Sequence, residues 1–225
     1  MNRNDVSVIS SSRLSALATN KVLRNTYLLL GLTFLFSTFT AYLSFVSNAR
    51  PLNPLFFIVG VYGLMFLTNA LRNSSLGLLA VFAFTGFMGY ALGPILNAYI
   101  AHFTNGPQII ATALGGTGLI FFALSGYVLT TRKDFSYLGG FLFIAVMVAV
   151  LAMIGNIFFQ IPALNLGISA AFVLISSGLI LFQTSEIIHG GETNYISATV
   201  SLFVSIYNLF ISLLNLLGAF SGNRD

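Results

Sequence analysis

Residues 183–215 read QTSEIIHGGETNYISATVSLFVSIYNLFISLLN, and the fold follows from this stretch. Two apolar runs, each belonging to a segment long enough to cross a bilayer, are divided by a polar turn at His189-Gly190-Gly191. The whole chain of 225 residues has five acids, and two of them, Glu186 and Glu192, flank this turn. After it come Ser197, Ser201, Ser205, Asn208, Ser212 and Asn215, at steps of three or four that place six small polar side chains on one stripe of a helix. In hydrocarbon an unpaired hydroxyl or amide is costly, so the stripe must face protein or water. The last helix is therefore predicted at the centre of a bundle, its neighbours meeting it with small residues.

The composition outside this stretch is equally apolar: 57% hydrophobic, 6% charged, mean hydropathy +0.94. Soluble domains carry about 25% charged residues. The chain is read as an all-α polytopic membrane protein. At about 20 residues per crossing, its polar breaks leave seven helices, predicted at Thr26–Val46, Pro54–Leu71, Leu76–Ile100, Pro107–Thr131, Tyr137–Phe159, Pro162–Ile188 and Asn194–Phe220. Pro54, Pro107 and Pro162 stand at helix starts, where a missing N–H costs nothing. The expected organisation is a flexible tail over residues 1–25, one bundle over 26–220 and a short end at 221–225. Such a bundle leaves no space for a soluble catalytic domain or a nucleotide-binding motif. Without Cys there are no disulfides or thiolate sites.

Charge sets the orientation. With the N-terminus cytoplasmic, inside segments hold Arg3, Arg13, Lys21, Arg24, Arg72, Arg132 and Lys133, while Arg50 and Arg224 lie outside. This positive-inside bias puts the C-terminus outside and the His189 turn on the cytoplasmic face. The net charge of +4 is scattered over tail and loops, so topology explains it and no nucleic-acid partner is expected. The apolar stretch from Tyr27 has no cleavage site and is read as a retained signal anchor.

Glu186 is the most informative ionisable residue. A helix C-terminus disfavours a carboxylate, so compensation is expected from Arg72, Lys133, His189 or a cation. Glu186 and His189 have a spacing that can hold one metal ion, but no other helix supplies matching ligands, so neither a metal site nor a cofactor is expected. Glu192 favours the dipole at the start of the last helix, with Thr193 or Asn194 as cap. His102 reads as a solvated loop residue. Neither histidine is placed as a base beside a serine, and the bundle lacks an aspartate pair, so no enzyme activity is expected.

Close-packing residues recur in the third helix as Gly86, Gly89, Gly93 and Asn97, with Pro94 among them. The pattern Gly-x-x-apolar-Gly-Pro-x-Leu at Gly89, Leu92, Gly93, Pro94 and Leu96 is accompanied by KVLRNTY at 21–27, YGLMFLT at 62–68, YVLTTRKD at 127–134 and IIHGGETNYI at 187–196. Through these motifs nearly the whole chain resembles the Bax inhibitor-1 family of seven-helix membrane proteins.

The resemblance implies a bacterial inner-membrane location, a central last helix and one of two functions. The first is negative modulation of the membrane ATP-dependent protease FtsH; for this chain the N-terminal tail and the bundle together suggest a slowly processed competing substrate gripped by that tail. The second is a pH-sensitive calcium leak through an aspartate pair. Those aspartates fall at Gln183 and Ser205 here, so both carboxylates are missing and Ca2+ is not assigned a site. A third possibility is a structural partner of the translocon. Gln183, Ser205, Glu186 and Asn208 are the candidate ion-pathway positions.

Overall fold

The computed structural model describes the backbone of residues 3–221 and the side chains of residue 17 and residues 19–221. Among them the chain is all helix: α1 Arg3–Val46, α2 Pro54–Leu71, α3 Leu76–His102, α4 Gly106–Thr131, α5 Leu138–Phe159, α6 Pro162–His189 and α7 Tyr195–Ser221. Each contains a segment long and apolar enough to cross a membrane, which in α1 is Thr19–Val46. Apart from Ser221, the predicted C-terminal end at 221–225 lies outside the described residues.

The helix boundaries follow local chemistry. Prolines occupy the first positions of α2, α4 and α6. The last turns of α4, α5 and α6 are closed by left-handed residues, Arg132 (φ 51°), Gln160 (φ 50°) and Gly190 (φ 80°). Only Gln160 and Ile161 separate α5 from α6, giving a tight antiparallel hairpin.

One boundary departs from expectation. Composition predicts a flexible tail through residue 25, yet the α1 backbone is helical from Arg3. Once the membrane-spanning part is formed the costly nucleation step is complete. Leu14, Ala16, Leu17 and Ala18 are good helix formers, so the helix propagates toward the N-terminus. Its 44 residues make a rod about 66 Å long. That exceeds the roughly 40–45 Å of a bilayer with its headgroups, so one end of α1 extends beyond the membrane.

α7 packs against α1, α2, α3, α4 and α6. Its Leu202, Phe203, Leu209 and Leu214 are fully buried, together with Phe84 of α3 and Ile180 of α6. On its polar stripe Ser205 and Ser212 are buried and Ser197, Asn208 and Asn215 half-buried, whereas Ser201 is exposed in a groove. α5 packs on α6 alone, and α2 on α3 and α7. Phe66 of α2 and Phe158 of α5 are among the outward aromatics left uncovered. A water-soluble protein rarely leaves such faces open; hydrocarbon covers them.

The α1–α3 interface is built around missing side chains. A Cβ at Gly89 would collide with the Ser37 carbonyl oxygen and the Thr40 hydroxyl, and one at Gly93 with the Ser44 side chain and the Phe45 backbone N. Gly86 faces the Phe36 ring. One turn beyond Gly93, Asn97 Nδ2 donates to the Phe45 carbonyl at 2.9 Å. Pro94 is buried within α3. At one end of the bundle the α2–α3, α4–α5 and α6–α7 connections are tied together: Asn194 Nδ2 donates to the Arg72 carbonyl at 3.0 Å, and His189 Nε2 lies 3.1 Å from the Arg132 carbonyl.

Candidate functional site

α6 and α7 are antiparallel neighbours, and Gln183 and Ser205 meet across them. Ser205 Oγ lies 3.0 Å from Gln183 Oε1 and 3.0 Å from the Ser201 carbonyl, so its one hydrogen is shared between two acceptors. The pair borders a cavity of about 550 Å³ that is also lined by Tyr62, Thr68, Asn69, Ser197 and Ser201. The polar groups there are hydroxyls and amides; no carboxylate reaches the cavity. Calcium takes about 6–8 oxygen ligands, usually with carboxylates among them. The cavity thus offers dipoles to water or a polar group but no fixed charge to a cation. The described residues contain no cluster of three or more His, Asp or Glu that could hold a metal.

Glu186, one turn from Gln183, points away from this cavity. Its carboxylate lies over Gly191, where a Cβ would collide with it. The Glu186 carbonyl accepts from the Glu192 N–H at 3.1 Å, closing the turn. Two groups expected to compensate it are engaged elsewhere: Arg72 Nη1 approaches Ser197 Oγ at 3.4 Å, and His189 turns toward Ser185 and Arg132. Asn208 is half-buried and does not border the cavity. Of the four candidate positions, then, the fold joins two.

His189 adjoins a serine, though not in the role of a base. Ser185 and His189 are four apart on α6 and so share a face; His189 Nδ1 lies 3.2 Å from Ser185 Oγ. The same nitrogen lies 2.9 Å from the Ser185 carbonyl, which needs a hydrogen on it. A ring nitrogen that carries a hydrogen cannot take the serine proton, so this is a structural contact rather than an activated nucleophile. Ser185 Oγ instead accepts the Phe135 N–H at 2.8 Å and sits 3.5 Å from Asp134 Oδ1, holding the α4–α5 loop against α6.

Asp134 accepts the Ser136 N–H at 2.8 Å. That bond, with further help from the Ser136 hydroxyl and the His189 charge, holds its carboxyl below the ordinary value of 3.8. A group with a lowered folded value stabilises the fold fully above its ordinary value and loses that contribution as pH falls through the lowered one. The Ser136 amide is expected to be protected from hydrogen exchange at neutral pH and to lose protection in acid. Asp134→Ala should remove the neutral-pH protection, as exchange mass spectrometry of the loop would read.

Asn194 caps α7. Its Oδ1 accepts the N–H groups of Ile196 at 2.9 Å and Ser197 at 3.2 Å, while Nδ2 donates to the Arg72 carbonyl and to Asn73 Oδ1. Glu192 Oε1 accepts the Asn194 N–H at 2.7 Å. Asn194→Ala removes cap and loop tie together, and a loss of about 2 kcal/mol is expected in denaturant unfolding of the detergent-solubilised protein. Thr68, Asn69 and Ser185 are site residues that sequence reasoning does not find. A polar pair at the end of α2 was the only available sign of the first two.

Fold and site define a seven-helix membrane protein with Gly89-x-x-x-Gly93-Pro94 packed on α1 and a polar α6–α7 junction. The family model described as inhibitor of apoptosis-promoting Bax1 matches residues 19–222, and the chain belongs to that family. Among its relatives is the modulator of FtsH protease YccA of Escherichia coli strain K12, 58% identical over 213 residues that cover 94% of this chain and 96% of that one. The counterpart in E. coli O6:H1, named inner membrane protein YccA, matches equally well. A Pseudomonas aeruginosa protein is 56% identical over 202 residues, 90% of each chain. The chain is a multi-pass protein of the bacterial inner membrane.

Proposed function

We propose that this protein negatively modulates the membrane protease FtsH without being an enzyme itself, as a competing substrate that is gripped at its N-terminus and processed slowly. The observation that carries the reading is 58% identity, over 94% of the chain, to a protein named as a modulator of that protease. The rest is supported by the physical design. α1 is longer than a bilayer is thick, so its N-terminal part reaches an aqueous face, and the positive-inside bias makes that face cytoplasmic with the C-terminus outside. Residues 1–25 are the handle and the bundle, with polar-striped α7 at its centre, is the resistance. A pulling protease must separate α1 from α3, whose backbones are in close contact at Gly89 and Gly93.

Deletion of residues 1–18, which leaves the Thr19–Val46 span intact, tests the handle. The truncated protein should no longer co-purify with FtsH and should persist in cells several times longer than the full chain. Unchanged co-purification and turnover would sink the mechanism. The calcium-leak reading draws no support from a cavity without carboxylates.

A further inference from the structure

A second cavity, of about 500 Å³, lies within the membrane span between α1 and α4. The backbones of these two helices stay apart and they meet through the stacked Tyr27 and Phe121 rings, 6.1 Å between centroids, so a lateral gap is left beside that contact, floored by Phe203, Tyr207 and Phe210 of α7. Its walls are mostly apolar, with Ser37, Thr38 and Thr117 among them, and carry no charge. Along α1 the lining runs from Tyr27 to Ala41, about 20 Å of helix. An uncharged, mostly apolar channel lining of that length inside the membrane span suits an extended hydrocarbon chain.

Tyr207 supplies a polar feature. It is 8% exposed and borders the channel, stacked on Phe203. Its hydroxyl makes no hydrogen bond among the described residues, and it is not one of the sealed, unpaired hydroxyls of the interior, which belong to Thr26, Ser44 and Ser176. A donor of this kind awaits an acceptor from the occupant. Tyr207 stands twelve residues after the start of α7 and fourteen before its end, about 18 and 21 Å from them, close to the bilayer centre. A charged headgroup there would cost several kcal/mol, which rules out a phospholipid whose head reaches Tyr207.

We propose that the α1–α4 channel binds a neutral single-chain lipid, with its hydrocarbon along α1 and a carbonyl oxygen accepting from Tyr207. Gly31 and Gly118 border the channel, and a Cβ at either meets nothing within 4 Å. Gly118→Leu therefore fills the channel without disturbing the bundle.

The test uses the full chain in phosphatidylcholine nanodiscs and a fatty acid methyl ester carrying a mid-chain diazirine. After photolysis, labelled residues are mapped by mass spectrometry. Label is expected on the channel faces of α1, α4 and α7, displaced by methyl oleate but not by octadecane at equal concentration. Tyr207→Phe should weaken methyl oleate competition about fivefold, the worth of one neutral hydrogen bond. Gly118→Leu should abolish channel labelling with the melting temperature unchanged. Equal displacement by octadecane, or label spread evenly over α2 and α5, would overturn the proposal. So would labelling that survives in Gly118→Leu, or that occurs in detergent but not in nanodiscs, the latter marking a phospholipid as the occupant.

Discussion

Gly89→Leu and Gly93→Leu are each expected to lower the melting temperature in detergent by about 10 °C. The first Cβ already meets the Ser37 carbonyl oxygen, and the second the Phe45 backbone N, so neither clash is relieved by rotating a side chain. Overpacking of this kind costs about 3 kcal/mol, which for a chain of this size shifts melting by about 2–4 °C per kcal/mol. α1 and α3 form the most extensive helix pair of the bundle, and the Asn97 bond to Phe45 would be pulled apart with it. Gly63→Leu and Gly115→Leu are the controls: each faces open space and should leave melting within about 1 °C. Equal losses at all four positions would mean that helix propensity or lipid contact, and not the α1–α3 approach, sets the stability.

Phe203→Ala is expected to cost about 2–3 kcal/mol in the same measurement. The ring is fully buried, 4.9 Å from Phe34 and 6.1 Å from Phe84 between centroids. In water such a truncation costs about 3–5 kcal/mol, part of it transfer of the ring from solvent. A membrane helix loses less of that part, because lipid is as apolar as the core; the cavity and lost packing remain. In the proposed mechanism both kinds of variant make the bundle easier to pull apart, so both should be degraded faster in cells.

The fold was legible because its signals are long and redundant. Seven apolar runs, prolines at the starts of α2, α4 and α6 and the Gly86-Gly89-Gly93 spacing all point to one bundle. The length of α1 was not legible, since polar Ser and Asn in the first residues mask helix propagation from a membrane span already formed. At the site, aligning motifs placed Gln183 beside Ser205, but the surrounding partners depend on tertiary contacts that no spacing reveals. Thr68 and Asn69 arrive from α2, and Asp134 reaches Ser185 from a loop about fifty residues away. Glu186 stood out as an acid at a helix end, yet its carboxylate is turned onto the Gly191 backbone, a direction set by the left-handed Gly190 turn.

The central claim is that this chain spares other substrates of FtsH. Its most direct test is the half-life of an unrelated membrane substrate of that protease, followed after synthesis is stopped, in cells with and without the intact protein at matched levels. The account requires the half-life to lengthen several-fold when the protein is present. An unchanged half-life, with the protein accumulated in the membrane, would contradict it.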